Sequence, residues 1–249
     1  MKSRNCRSAA NSIEAPMDRN SDPVIEDSRQ GPKRGIRKLS LRDQAYEAIK
    51  KRIVSCELRP GEAVTVADLA EQLQIGRTPV FQAIDRLTVD GLVEVMPRKG
   101  VVVAPISMDS LVEIIEMRLL NEAQAANWAA QKATPQEIAQ LDANVAATWR
   151  AAQDHDLEQM IECDRDFHRL LSGIAGNTIL AEFLGNLHDR SLRFWFLSLR
   201  APDHNLRVCE QHAAIVEGIR AHDPEAAEKA MREHISAFHK NLTQQNLRS

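Results

Sequence analysis

The chain has 249 residues, 43% hydrophobic and 27% charged, with a formal net charge of −3 at pH 7, which suits one large or two modest globular domains. A balance so near neutral excludes a global basic field, so nucleic acid or an anionic membrane would have to be met by a local patch. No run approaches the roughly 18 to 20 apolar residues of a membrane span, and the N-terminus lacks a signal peptide's apolar core. Cys6, Cys56, Cys163 and Cys209 are scattered without CxxC spacing, so a cytoplasmic protein with reduced thiols and no membrane partner is expected.

Residues 1–38 are polar and aperiodic, with nine basic residues against five acidic ones, four of the basic ones in "PKRGIRK". This composition predicts a disordered basic tail, either merely solvated or in touch with phosphates.

Residues 39–104 follow a compact plan. Ser40 and Asp43 have capping-box spacing, and Tyr46, Ile49 and Ile53 give the first helix its apolar stripe. The chain turns at Pro60-Gly61, and Thr65 with Asp68 opens a second helix whose Leu69 and Leu73 face inward. After a turn at Gly76, Thr78 is expected to cap a third helix with Pro79 at its first position. Val80, Ala83, Ile84 and Leu87 bury one face of that helix, leaving Arg77, Phe81, Gln82, Asp85 and Arg86 opposite. In "GLVEVMPRKGVVVAPI", Val93 and Val95 alternate, Pro97 to Gly100 turn, and Val101 to Val103 return, so a two-stranded wing follows.

This is the pattern of a winged helix-turn-helix, whose third helix enters the major groove of double-stranded DNA. Arg77 is placed for phosphate or guanine, Phe81 for a thymine methyl, and Thr78 and Gln82 share the same tip. Arg98, Lys99 and Gly100 at the wing tip would meet the backbone or minor groove. The segment holds nine basic and nine acidic residues, so only their placement favours DNA over a protein partner. The stretch "DLAEQLQIGRTPVFQAIDRLTVDGLVEVMPRKGVVV" resembles the DNA-binding domain of the GntR family of bacterial transcription regulators. That family usually carries Arg-Glu where this chain has Phe81-Gln82, and the resemblance therefore implies operator binding with an altered base preference.

Residues 105–249 are nearly all helical pattern, with stripes over 109–131, 135–153, 156–173, 178–200, 205–221 and 224–244 punctuated by "TPQE", "GNT", "APDHN" and "HDPEA". The fold class is mainly α, an N-terminal winged helix-turn-helix followed by an all-α helical bundle. All eight histidines lie in this half. Asp164 and His168 fall one turn apart on the inner stripe of Leu157, Met160, Ile161 and Leu171. His212 shares a stripe with Ile215, Val216 and Ile219, and His234 shares one with Ala227, Ala230, Met231 and Phe238. If Asp223-Pro224 turns an antiparallel hairpin, His212 and His234 reach the same level, roughly 16 Å from the turn.

Three imidazoles and a carboxylate converging inside a bundle suit a divalent metal, zinc first, with nickel and manganese as alternatives. His155, His188, His204, His222 and His239 fall at element ends or outer faces and are expected to be solvated. Arg118 lies on the inner stripe with Ile115 and Glu122, either paired with Glu122 or free to bind a carboxylate bidentately.

Through "DRDFH", "GNTIL" and "HAAIVEGIRAHDPEAAEKAMREHI", this half resembles the FCD-type effector domain of the FadR subgroup. The resemblance implies that Asp164, His168, His212 and His234 are metal ligands and that a small organic acid completes the coordination. The expectation is a homodimeric repressor, with a tail (1–38), a DNA-binding domain (39–104) and an effector-binding and dimerisation domain (105–249). A metal-dependent enzyme and a direct metal sensor are the alternatives for the same His/Asp site.

Overall fold

The computed structural model describes residues 39–97, 100–198 and 202–246. The basic tail, Arg98 and Lys99 lie outside the described residues.

Short polar residues start the helices by accepting from their first-turn N–H groups. Ser40 accepts from Asp43 ahead of α1 (Leu41–Val54), and Thr65 accepts from Asp68 ahead of α2 (Val66–Leu73). α3 (Arg77–Val89) is the exception, for Gly76 caps it without a side-chain bond. Thr78 and Pro79 are therefore the second and third residues of α3, two positions deeper than the expected capping and first positions. The reason is that the first main-chain bond of the helix is Val80 N–H to Gly76 carbonyl. Proline is tolerated anywhere before that point, because those N–H groups have no intrahelical partner to lose.

The wing is broader than the two strands read from the sequence. β2 (Val93–Met96) and β3 (Gly100–Val103) form the expected hairpin, and β1 (Ala63–Val64) adds to the other edge of β3, giving the antiparallel order β1-β3-β2. In this register Val93 pairs with Val103 and Val95 with Val101. A two-residue strand is too short to leave a periodic signal. It is set by the turn at Gly61, which adopts φ +80° and donates its N–H to Val103.

Six helices follow: α4 (Met108–Lys132), α5 (Pro135–Gln153), α6 (Leu157–Ile174), α7 (Thr178–Ser198), α8 (Pro202–Arg220) and α9 (Pro224–Asn246). Thr134 and Glu137 close a full capping box on α5. Asp223 accepts from the N–H groups of Glu225 and Ala226 to start α9. Close approach of α8 to α9 requires a glycine, since a Cβ on Gly218 would lie 2.7 Å from the backbone nitrogen of Ala227.

From Leu39 onward the described residues form one compact unit with two hydrophobic cores. The first joins Tyr46, Ile49 and Ile53 to Leu69, Val80, Ile84, Leu87 and to Val93, Val101 and Val103 of the sheet. The second fills the helical half around Leu111, Ile115, Met160, Phe167, Leu192, Ile215 and Met231. No helix among the described residues is long and apolar enough to cross a membrane.

Candidate functional site

Burying Val80, Ala83, Ile84 and Leu87 leaves Arg77, Thr78, Phe81 and Gln82 exposed on the outer face of α3. Phe81 is 55% exposed, so its ring is accessible on the outer face of α3. Arg86 on the same helix lies over α1, its guanidinium 3.8 Å from the centre of the Tyr46 ring, while its side chain stays half exposed. Gly100 is exposed with φ +79° and opens β3 at the turn end of the hairpin, paired with Met96.

Inside the helical half, α6, α8 and α9 bring Asp164, His168, His212 and His234 together. One donor atom from each lies within 4.8 Å of the others, and all four side chains are buried. The rings of His212 and His234 are 4.8 Å apart, as the hairpin geometry requires. Phe167 stacks on His212 at 4.0 Å with an interplanar angle of 6°, walling the cluster from the core. Asp164 Oδ1 lies 3.4 Å from His212 Nε2 and 3.8 Å from His168 Nε2.

Burial alone would raise the Asp164 carboxyl, but the His188 and His212 imidazoles beside it, with His168, hold it well below the usual carboxylate range. Burial pushes the His212 imidazole down, against the opposing pull of Asp164. It pushes His234 further down, helped by His212 and His168. An ionised carboxylate beside the depressed imidazoles of His212 and His234 is the protonation state in which such groups coordinate cations.

Two further residues belong to the cluster. Glu122 on α4 places Oε2 2.5 Å from His168 Nδ1 and Oε1 2.5 Å from Arg118 Nε, all three side chains being buried. Arg118 is thus paired with Glu122, and its Nη1 is 3.5 Å from Ser191. His188 corrects the expectation of a solvated residue: it is 4% exposed, with Nε2 3.2 Å from Asp164 Oδ2 and its ring 4.6 Å from that of His168. The signal existed, since Leu184, Leu187, His188, Ser191 and Leu192 repeat at helical spacing. Charged neighbours Asp189 and Arg190 masked it. His155 and His222 are exposed and His239 half-buried, while the side chain of His204 lies outside the described residues.

A cavity of about 340 Å³ runs from the winged helix to this cluster, lined by Tyr46 and Lys50 of α1, Arg165 of α6, and Glu122, His168 and His188 at its buried end. Lys50 reaches Asp189 on α7 at 3.0 Å, and Arg165 reaches the same carboxylate at 3.1 Å.

Residues 41–103 match the bacterial regulatory proteins of the gntR family, and residues 113–237 match the FCD domain. The chain belongs to the GntR family and carries an FCD domain. This GntR-family chain is 28% identical over 204 residues to the HTH-type transcriptional repressor RspR of Escherichia coli K12, covering 82% of itself and 90% of that protein. It is 26% identical over 231 residues to the HTH-type transcriptional repressor NanR of an Enterobacter species, covering 82% and 86%. Among solved structures, Escherichia coli McbR/YncC aligns with a TM-score of 0.77 and 26% identity, over 84% of this chain and 99% of that one. A GntR regulator from Rhodococcus sp. RHA1, at a TM-score of 0.71 and 17% identity, shares the fold over 83% of this chain and 99% of its own. The protein is a DNA-binding transcription regulator and not an enzyme.

Proposed function

We propose that this GntR-family chain is a homodimeric repressor whose grip on double-stranded operator DNA is set by a small organic acid bound at a divalent metal in the helical domain. The observation that carries the reading is the convergence of Asp164, His168, His212 and His234 in one buried cluster. Asp164 Oδ1 and both nitrogens of His212 are buried without a hydrogen-bond partner of good geometry, a cost that a cation would remove. Relatives named as repressors support the direction of control.

The residues fit the group. A three-nitrogen, one-oxygen set suits zinc, with nickel or manganese as alternatives. When bound, the ion supplies a Lewis-acidic centre with positions open to a carboxylate. Glu122 Oε2 lies 2.5 Å from His168 Nδ1, a contact that would leave Nε2 of that ring for the ligand set. Gln211 Oε1, 3.1 Å from His234 Nδ1, orients that ring in the same way. Arg118 is the candidate guanidinium partner for the acid's carboxylate, which would share it with Glu122. On the DNA side, Arg77, Thr78, Phe81 and Gln82 read the groove, with Arg98, Lys99 and Gly100 at the wing tip.

Titrating metal and then a panel of organic acids against operator DNA tests the whole reading. The expected outcome is DNA binding by the metal-loaded chain that changes on addition of an acid. A response to metal alone would make the ion itself the signal. Protein that retains no divalent ion after dialysis, and whose DNA binding ignores both additions, would overturn the proposal.

A further inference from the structure

α3 carries two arginines, and they stand at opposite ends of it. Arg86 lies over the Tyr46 ring with its Nη1 3.8 Å from Asp43, so Arg77 is the guanidinium at the start of the helix. Phe81 follows Arg77 by one turn, on the same line of the outer face, and is 55% exposed. Thr78 and Gln82 form the neighbouring line, both exposed. The N-terminal residues of a recognition helix are those that meet base edges in the major groove. A benzyl ring is therefore set among the groups that touch bases.

The chemistry of the ring limits what it can cover. Major-groove edges present the N7, O6 and O4 acceptors, the N6 and N4 amino donors, and one apolar group, the C5-methyl of thymine. Pressed on any of the polar groups, a ring that neither donates nor accepts a strong hydrogen bond strips their water and returns nothing. Pressed on the methyl, it removes apolar surface of both partners from water. Arg77, four residues earlier, has five N–H donors and serves the polar edges or the phosphates. The two residues on one line of the helix thus ask for opposite kinds of partner.

We infer that Phe81 is a specificity-determining residue of operator recognition, and that the feature it reads in each half-site is the C5-methyl group of a pyrimidine. The inference rests on the proposed placement of α3 in the groove and names the chemical group read there. The methyl itself, and not the base pair that carries it, decides the contact, so 5-methylcytosine satisfies the ring and uracil does not.

The test starts from duplexes that the full chain selects from a random pool. Each thymine of the selected half-site is replaced in turn by deoxyuridine, which deletes the methyl and leaves the pairing unchanged, and affinities are read by fluorescence anisotropy. Replacement of one thymine per half-site is expected to weaken binding about 4-fold, the effect of leaving one methyl group in water. With cytosine at that position, methylation of its C5 is expected to strengthen binding by a similar factor. Phe81→Ala changes an exposed side chain, so its melting temperature should stay near that of the parent. It is expected to bind the thymine and deoxyuridine duplexes equally, whereas Phe81→Leu, still apolar, should keep part of the discrimination. Indifference of the parent to every replacement, or an undiminished penalty in Phe81→Ala, would overturn the inference. If Phe81→Ala and Arg77→Ala both select the parent's sequence with the parent's affinity, the placement of α3 in the groove falls as well.

Discussion

His212 has no exposed surface, stacks on Phe167 and faces Asp164, so a substitution there removes a ligand without disturbing the protein's outside. His212→Ala is expected to lose its metal on dialysis and to fall in stability by about 1–3 kcal/mol, the cost of leaving Asp164 and its neighbours buried without a partner. It should still bind operator DNA, because the winged helix has its own core, while ignoring the effector. Metal analysis and effector titration on the same preparation check this, and full metal content in His212→Ala would remove His212 from the ligand set. On the DNA face, Arg77→Ala should weaken specific binding by about 1–3 kcal/mol if the guanidinium reads a base. If it meets phosphate instead, the salt dependence should flatten, as anisotropy titrations at several ionic strengths would show. The four candidate ligands were legible because a polar residue on an apolar stripe is a debt that needs explaining. His188 was not, since its stripe also carries Ser191 and is flanked by charges that point elsewhere.

Those flanking charges give α7 two working faces. Asn186, Asp189, Arg190 and Arg193 repeat at the spacing of one helix face, and all four meet the winged-helix half. Asn186 donates to the Asp90 carbonyl at 3.3 Å, Asp189 pairs with Lys50, Arg190 lies beside Gly91, and Arg193 donates to the Ala104 carbonyl at 2.6 Å. His188 and Ser191, from the same two turns, face Asp164 and Arg118. A shift of α7 at the cluster is thereby a shift under the DNA-binding half. Lys50→Met leaves Asp189 with Arg165 as its cation, so the stability loss should be about 1–3 kcal/mol, below that for a fully stranded buried charge. Denaturant melts check the stability. DNA titrations with and without effector should show a smaller effector-dependent change than in the parent, and an unaltered change would mean that the pair is only structural. None of this linkage was legible in the sequence, because it joins residues 139 positions apart. Helix starts such as those of α1, α2 and α5 were legible, since each is set by a side-chain cap three residues away, whereas α3 starts at Gly76 without one and β1 depends on β3 across the fold for its pairing.

At the scale of the molecule, one recognition helix presenting Arg77, Thr78, Phe81 and Gln82 makes too few contacts for typical operator affinity, and regulators of this architecture use two on half-sites about 34 Å apart. The helical half carries a surface suited to joining them. Val112, Met117 and Leu120 lie on the outer side of α4, away from the core that Leu111, Ile114, Ile115 and Arg118 enter, and Leu120 is 63% exposed. These apolar side chains, interspersed with the exposed Glu113 and Glu116, sit on a helix whose other face is used by the core, and a two-fold axis lets the same face cover itself. The full chain should therefore sediment as a dimer at micromolar concentration. Leu120→Glu places two carboxylates against each other across that axis and should give a monomer with its melting temperature and metal content near those of the parent. Its affinity for an operator with two half-sites should fall by 10²-fold or more, because the second helix is no longer tethered, at the effective concentration the dimer provides. Its affinity for a single half-site should stay the same. A Leu120→Glu chain that remains a dimer would move the interface off this face of α4, and a parent that sediments as a monomer would contradict the two-half-site mode itself.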